Sequence, residues 1–331
     1  MIIPSPQFTV FISSVNTMFG EAYSTTPIIH PQFMTTLPCT TTQMVFGWTG
    51  MMPKFRAWSG PRVTHEPAPQ TYVVVPRPFE NTFSIDQFHL MDDQYGIYYR
   101  MIPDMSRQAR RWQEYESRDL IENLGLWTGP AQNGLDGGTH WNTAHPVDLY
   151  DSTKGTYSND FTGGGFSVGG ILIGGAISPT AFLTLWGYMS TLKAEDGEAM
   201  GVTPNLLMHH PAINGEVQLL LKSTFFAPPA WSTIGSQVGA ADNVIRRFGV
   251  EPISNPLLAP GGGATTRRWY LLDGTKAVKP FVWVERDAIR IVPRVSPEDP
   301  IVFDEHKFLL GGWGRGAPGW GFAWLSARSG P

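Results

Sequence analysis

The stretch from Asp92 to Gly125 restricts the fold most, because it predicts one long amphipathic helix. Its apolar residues recur mostly three or four positions apart, which is the spacing of a single helical face. They are Ile97, Met101, Met105, Ala109, Trp112, Leu120, Ile121 and Leu124. An unbroken helix over this stretch would be about 50 Å long at ~1.5 Å per residue. The chain is therefore expected to be built around a strut, or around an ordinary core helix of a large domain.

The ends of this helix carry recognisable signals. Asp92 or Asp93 is a suitable N-cap, because a carboxylate can accept a hydrogen bond from a free N–H of the first turn. Gly125 provides a residue that tolerates the left-handed conformation at which helices stop. Pro103 is expected to kink the helix or to move its start to Ile102.

The region before the helix has two parts. Residues 1–43 are rich in proline and threonine and predict an extended arm, in which only Phe8–Met18 could form a short helix or strand. Residues 44–88 predict a two-stranded excursion, with MVFGWTG going out and TYVVV and FENTFSIDQF returning. Its tip carries aromatic residues unsuited to a solvated loop, so a partner surface is expected to cover them. The alternative is a hairpin packed on its own domain.

The region after the helix mixes element types and predicts the α+β class. A helix is predicted from Pro179 to Lys193, with Ser178 as its cap. The strand NLLMHHP and the helix AINGEVQLLLKS follow. Four strands are then predicted, with Ala317-Pro318 as a hairpin turn between the last two. They are RRWYLLDG, KPFVWVERDAIRIV, HKFLLGGWGRG and GWGFAWLSA.

Composition excludes several classes of protein. Lys+Arg 24 against Asp+Glu 28 leaves a net charge of -4, whereas a dedicated nucleic-acid binder carries a basic excess. Cys39 is the single cysteine, so no disulfide can form within the chain and a reducing compartment is expected. The first residues have no basic segment, which argues against a signal peptide. Residues 161–192 are uncharged, but their glycines and Pro179 argue against one membrane helix.

Motifs for catalysis are weak. His140, His145 and the adjacent pair His209-His210 do not match the spacing of a known metal site. The glycine-rich stretches GGGFSVGG and PGGGATT fit neither phosphate-binding pattern. We therefore predict no catalytic residues, no metal site and no cofactor. A soluble hydrolase that uses the histidines near 140–145 is kept as an alternative.

Two groups of motifs nevertheless resemble one family. FGWTGMMPKFRAWSGPRV and FENTFSIDQFHLMDDQYGIYYRM resemble the major head protein of Mu-like bacteriophages, the gpT-like family. WYLLDGTKAVKPFVWVERDA and GWGRGAPGWGFAWLSA are similar to the end of the same protein. The resemblance covers roughly residues 40–331, and the arm is its least distinctive part. It implies the major capsid fold of tailed phages, of the Hong Kong 97 type.

That resemblance implies a division of the chain. The parts would be an N-terminal arm (1–43), an E-loop (44–88), a peripheral domain (89–175) with its spine helix (92–125), an axial domain (176–285) and return strands of the peripheral domain (286–331). In this fold the arm and the E-loop lie on neighbouring subunits. The chain departs from crosslinking relatives, because Lys54 is the only lysine of its E-loop and nothing indicates an isopeptide network.

The implied function is structural. Copies would assemble as hexamers and pentamers into an icosahedral phage head that encloses double-stranded DNA, built in the host bacterial cytoplasm and retained in the virion. Portal, scaffold or protease and decoration proteins are the other implied partners, and no membrane is involved. An encapsulin-like compartment shell is the alternative of the same fold. The residues expected to contact neighbouring subunits are Phe8, Phe11, Trp48, Phe55, Trp58, Tyr72 and Phe83.

Overall fold

A computed structural model describes residues 6–48, 70–93, 96–124, 127, 133–163, 167–168, 170–226, 241–259, 262–295 and 299–331. Its helices are α1 (Pro6–Thr25), α2 (His30–Phe33), α3 (Gln87–Met91), α4 (Ile97–Glu122), α5 (Pro179–Ser190), α6 (Asn214–Lys222) and α7 (Pro300–Glu305). Its first strands are β1 (Met34–Pro38), β2 (Met44–Trp48), β3 (Gln70–Val74), β4 (Arg77–Asp86), β5 (His145–Pro146), β6 (Thr156–Tyr157), β7 (Asp160–Thr162), β8 (Ser167–Val168) and β9 (Ile171–Leu172). The later strands are β10 (Leu206–His209), β11 (Phe225–Phe226), β12 (Ala241–Asp242), β13 (Glu251–Ser254), β14 (Trp269–Leu272), β15 (Phe281–Arg294), β16 (Lys307–Trp320) and β17 (Ser326–Gly330). The mixture of helices and sheets confirms the predicted α+β class.

Two sheets organise the described residues. The first has the strand order β1-β15-β16-β4 and is built on the long antiparallel pair of β15 and β16. The second has the order β13-β10-β14-β17-β7. One hydrophobic cluster connects them, because Trp112 of α4 and Trp283 of β15 belong to the same core as Tyr270 of β14. A separate cluster lies between the second sheet and helices α5 and α6.

Helix α4 starts later than predicted. Its N-cap is Gly96, whose φ of 65° lies in the left-handed region, and Asp93 accepts a hydrogen bond from the Tyr98 N–H at 3.1 Å. The aspartate therefore does bond to the first turn, but from outside the helix and not as its cap. Pro103 lies inside the helix, where it removes one backbone hydrogen bond without ending the helix.

Helix α4 also ends earlier than predicted. Asn123, with φ 57°, takes the left-handed position that Gly125 was expected to fill, and its N–H bonds back to the Asp119 and Leu120 carbonyl oxygens. Asparagine tolerates this conformation better than most residues. The predicted apolar face is confirmed in part. Met105, Trp112, Leu120 and Ile121 are buried, whereas Ile97 is 58% exposed and Leu124, beyond the end of the helix, is 47% exposed. Ile102, which was not assigned to this face, is buried as well.

The N-terminal region folds onto its own chain, which corrects the expectation that residues 1–43 contain little that could do so. Helix α1 packs along α4, and the Ser106 hydroxyl donates a hydrogen bond to the Phe19 carbonyl oxygen at 2.7 Å. Strand β1 pairs in parallel with β15. The partners of this region lie far along the chain, so its local pattern could not indicate them. Val15 of α1 shares a small buried cluster with Ile85, Ile102 and Leu310.

The end of the chain differs from the prediction in one turn. Ala317 pairs with Val284 and Pro318 with Trp283, so β16 continues through the dipeptide that was expected to form a hairpin. Strand β17 then leaves the first sheet and pairs with β14 in the second. The predicted return strands of residues 286–331 are therefore divided between the two sheets.

A glycine at the centre of the first sheet makes a close approach possible. A Cβ at Gly316 would lie 2.3 Å from Trp283 Cζ2 and 3.2 Å from Trp112 Cη2. Gly316→Ala is expected to destabilise the fold by about 1–3 kcal/mol, because two fully packed indoles would have to move. Denaturant unfolding of the purified chain measures this. Gly187→Ala is the matched control, since a Cβ there meets nothing within 4 Å and alanine is the better helix former. Equal unfolding midpoints for the two variants would contradict the packing argument.

The helices of the second half follow the prediction closely. The Ser178 hydroxyl accepts a hydrogen bond from the Ala181 N–H at 3.2 Å, and Pro179 is the first residue of α5, as expected. The helix ends at Ser190 and not at Lys193. Helix α6 buries Val217, Leu220 and Leu221. Among the described helices, none combines the length and the apolar composition that crossing a bilayer requires.

Candidate assembly surfaces

The predicted E-loop has a well-defined base. Strands β2 and β3 pair antiparallel, with Trp48 opposite Gln70 at the open end. The Phe46 and Tyr72 rings stack at a centroid distance of 4.9 Å, and the Tyr72 hydroxyl donates a hydrogen bond to the Trp320 carbonyl oxygen. Burial raises the pKa of Tyr72, so the phenol stays protonated and remains a donor at neutral pH. The hairpin is thus tied to the end of β16.

Two of the predicted contact residues face their own chain. Tyr72 is 6% exposed and belongs to the core that connects the sheets. Phe83 is half-buried and packs on the cluster around Val15. Within the chain, Tyr72 supports the hairpin and Phe83 supports the first sheet. Their contact with a neighbouring subunit stays a prediction.

The other predicted contact residues keep their status as predictions. Phe8 and Phe11 lie on α1 and Trp48 ends β2, but their side chains are outside the described part of the structure. Phe55 and Trp58 fall in residues 49–69, which are also outside it. Several apolar side chains that the sequence did not single out are exposed in the structure. They are Phe303, 71% exposed, Leu219, 67%, Phe225, 59%, and Phe88, 56%.

A buried carboxylate fixes the arm to the long helix. Glu114 of α4 is 2% exposed, and its Oε1 accepts from the Ile29 N–H at 2.5 Å and from the His30 N–H at 3.2 Å. Its Oε2 accepts from Arg111 Nε at 3.2 Å. Burial alone would raise the pKa of Glu114, but the donors of His30, Ile29 and Arg111 outweigh it and lower the pKa. The charged carboxylate therefore holds the turn before α2 in place.

A second buried polar cluster lies in the connection between α4 and β7. His145 Nδ1 donates to Asp136 Oδ2 at 2.5 Å, and Nε2 donates to the His140 carbonyl oxygen at 2.8 Å. The Asn159 amide donates to the same carbonyl at 2.6 Å and to the Ala323 carbonyl oxygen at 3.3 Å. Because each partner of the His145 ring is an acceptor, the doubly protonated imidazolium satisfies both bonds. We name these three side chains, Asp136, His145 and Asn159, the histidine node.

The pKa values of His145 and His140 are shifted in opposite directions. Burial by itself would lower the pKa of His145, but the hydrogen bond to Asp136 and its charge outweigh burial and raise the pKa. Burial keeps the pKa of His140 well below its usual value, and the nearby His145 and Arg328 charges lower that pKa further. The neutral His140 ring stacks on Trp320 at 4.0 Å and bonds the Ser326 hydroxyl through Nε2 at 2.8 Å. The spacing of the histidines in the sequence does not indicate these partners.

This arrangement does not suit hydrolysis. A solvent-open cleft reaches His145, but both ring nitrogens already bond groups of the same chain, so neither is available to activate a nucleophile. In the described residues, His, Cys, Asp and Glu side chains do not gather in threes as a metal site requires. The alternative of a hydrolase that uses the histidines near 140–145 therefore gains no support from the bonds of His145, which join loops of the chain.

The architecture as a whole defines the class of protein. The fold is the major capsid fold of tailed phages, of the Hong Kong 97 type. The chain is similar to the bacteriophage JBD30 procapsid with a TM-score of 0.53 and 22% identity, covering 99% of this chain and 76% of that one. It is also similar to the mature capsid of bacteriophage PhiM1, with a TM-score of 0.52 and 11% identity over 92% of this chain and 87% of that one.

Sequence comparison gives the family. The family model of the Mu-like prophage major head subunit gpT matches residues 8–169 and 252–330, which is more than half of the chain, and the chain belongs to that family. Among its relatives is the major capsid protein of Escherichia phage Mu, 26% identical over 158 residues, or 48% of this chain and 50% of the relative. The chain thus spans about half the length of this curated relative in the match.

Proposed function

We propose that this chain is the structural unit of an icosahedral phage head that encloses double-stranded DNA. The observation that carries the proposal is the family match over residues 8–169 and 252–330 on a capsid fold. Copies would associate as hexamers and pentamers, with no bond made or broken. Portal, scaffold or protease and decoration proteins would complete the particle, which assembles in the host cytoplasm and remains in the virion.

The division of the chain is part of the proposal. Helix α4 would be the spine of a peripheral domain, the second sheet with α5 and α6 the axial domain, and residues 44–88 the E-loop. Residues 1–43 remain the proposed arm. Because Glu114 and α4 already hold part of this arm, its contact with a neighbour would use the outer side of α1.

The hairpin offers a mechanism for assembly. Its base is fixed to the core through Tyr72. Phe55 and Trp58 of the tip would gain roughly 25 cal/mol per Å² of apolar surface that a neighbour covers, before ordering costs. Exposed Phe88, Phe303 and Leu219 are further candidates for such contacts. Many modest contacts, repeated by symmetry, close a shell.

The test replaces residues 49–69 by Asn-Gly. Because Trp48 and Gln70 are paired across the hairpin, a two-residue turn can close it without disturbing β2 or β3. We expect a soluble chain that unfolds at an unchanged temperature but forms no shells in negative-stain microscopy. A second variant, Phe55→Ala with Trp58→Ala, keeps the loop length and is expected to reduce shell yield by at least tenfold. Normal particles from the shortened hairpin would refute the proposed role of the loop.

A further inference from the structure

The long helix sorts its charges by burial. By formal count, acidic and basic residues balance along α4. The acidic side chains Glu114, Asp119 and Glu122 are at most 7% exposed, whereas Arg100 and Arg107 are exposed and Arg111 and Arg118 are half-buried. These three acidic side chains therefore make their contacts within the fold, whereas the four arginines are at least partly accessible at the surface.

The four arginines also share one face. They are spaced by seven, four and seven residues, which at 3.6 residues per turn places them within about 20° of a single line along the helix. From Arg100 to Arg118 this line is about 27 Å long at ~1.5 Å per residue. We name Arg100, Arg107, Arg111 and Arg118 the arginine row. Arg110 flanks it, with its guanidinium 4.8 Å over the Tyr23 ring.

Two of the four arginines of the row pair with acidic neighbours. Arg107 pairs with Asp104, but both side chains are more than half exposed, and such surface pairs are weak. Arg111 pairs with Glu114 at 3.2 Å, and the buried Glu114 carboxylate also accepts from backbone N–H groups of the arm. For Arg100 and Arg118, the ion pairs in the described part of the chain include no acidic partner. Four arginines against these two acids leave the strip with a formal charge of +2 on a chain of net charge -4.

We propose that the arginine row is the surface of this chain that contacts the phosphates of double-stranded DNA, without regard to sequence. Guanidinium groups match phosphate geometry, and a strip of about 27 Å runs alongside roughly eight base pairs at 3.4 Å each. The net negative charge of the rest of the chain repels DNA, so the row determines which face approaches it. This inference rests on the proposed function, because the packaged DNA is the source of the phosphates.

A protein partner fits the row less well. Protein interfaces are depleted of charged residues at their centre and enriched in large apolar ones. The described exposed apolar residue on α4 is Ile97, at the first position of the helix. A contact with a second copy of the chain at this face would have to bury Arg100 and Arg118, whose ion pairs in the described part of the chain include no acidic partner, and this is costly.

The test compares two triple variants that remove the same charge. The row variant carries Arg100→Gln, Arg107→Gln and Arg118→Gln, and leaves Arg111 because it bonds Glu114. The control carries Lys154→Gln, Lys193→Gln and Arg246→Gln, all exposed and away from α4. Binding of each purified chain to a labelled duplex of about 20 base pairs is measured by fluorescence anisotropy at several salt concentrations, with two unrelated sequences.

A plot of log affinity against log salt concentration has a negative slope. For the row variant, we expect this slope to become shallower by about 2 to 3, because each phosphate that an arginine no longer neutralises accounts for about 0.9. The control should keep the slope of the unmodified chain, and the two duplex sequences should give the same result. Equal changes in both variants, or no change in the row variant, would overturn the inference.

Negative-stain images of the same preparations separate this inference from the proposed function. A row variant that forms normal shells but has lost the salt-dependent binding supports the assignment. A row variant that keeps DNA binding but forms no shells would show that the row contacts another copy of the chain, and would refute it. Failure of the unmodified chain to form shells would count against the proposed function alone.

Discussion

Replacing Glu114 by leucine is expected to lower the free energy of unfolding by about 3–5 kcal/mol, the usual cost of removing one member of a buried charged network. Two backbone N–H groups, those of Ile29 and His30, would lose their acceptor in an environment without water. Arg111 would also lose its partner. The effect should be measured by urea unfolding of the purified, unassembled chain, followed by tryptophan fluorescence.

Two variants of the same helix sharpen this prediction. Gln108→Leu changes an exposed side chain and should shift stability by less than about 0.5 kcal/mol. Glu114→Gln keeps one oxygen as acceptor but loses the charge, so an intermediate loss is expected. The loss should be local as well, because proteolysis between Thr26 and Ile29 should accelerate in Glu114→Leu alone. If Glu114→Leu and Gln108→Leu unfold at the same urea concentration, the carboxylate does not hold the arm.

Local pattern was sufficient for the elements whose partners are implied by their own periodicity. The long helix, the helix capped by Ser178 and strand β15, which contains Trp283, were all predicted from the sequence pattern. The ends of α4 were not, because Gly96 and Asn123 took the left-handed positions in place of the residues that looked most suitable. The choice among neighbouring candidates depends on packing beyond the helix.

Elements whose identity depends on distant partners were predicted less well. The Ala317-Pro318 dipeptide is typical of a turn, yet ladder pairing with β15 carries β16 through it. The packing of α1 on α4 depends on residues such as Ser106, far along the chain. The apolar run TYVVV correctly predicted strand β3. It could not tell whether Tyr72 faces a neighbour or its own core, and the structure places it in the core.

The candidate assembly surfaces were predictable only in outline. Exposed aromatic residues in a loop of marginal stability indicated a partner, which is a general physical argument and needs no structure. The arginine row is visible in the sequence as a seven-four-seven spacing, but the sequence does not show which of its arginines form ion pairs, and in the structure Arg107 and Arg111 do. The histidine node has no sequence pattern, because Asp136 and His145 meet through a folded loop.

His145→Phe is expected to cost about 3 kcal/mol or more near pH 6.5 and less as the pH rises. The aromatic ring can keep the stacking on Tyr157, but Asp136 Oδ2 loses the His145 donor, and the His140 carbonyl oxygen keeps only the Asn159 amide. Asp136, Tyr157, His140 and Asn159 are the groups that face the ring. Burial raises the pKa of Tyr157, so the phenol stays neutral across this range.

The direction of this pH dependence follows from the linkage between proton binding and folding. Because the folded pKa of His145 lies above the value of 6.5 for the unfolded chain, its contribution is complete below about pH 6.5 and is lost as the pH rises through the folded pKa. The unmodified chain should therefore lose stability on the alkaline side, and His145→Phe should not. Asp136 does not interfere. Burial alone would raise its pKa, but the His145 hydrogen bond outweighs burial and holds the pKa below 3.8, so this carboxylate titrates only in acid.

His140→Phe is expected to change the dependence of stability on pH in the opposite sense to His145→Phe. The folded pKa of His140 is depressed by burial, so its contribution is present above pH 6.5 and is lost as the pH falls. Phenylalanine keeps the stacking on Trp320 and removes the acid-side loss, while His145→Phe removes the alkaline-side loss. Denaturant unfolding between pH 5 and pH 9 should distinguish the two dependences of the unfolding free energy on pH. Parallel pH profiles for both variants would mean that His145 is not held as an imidazolium, and that the node is a set of neutral hydrogen bonds.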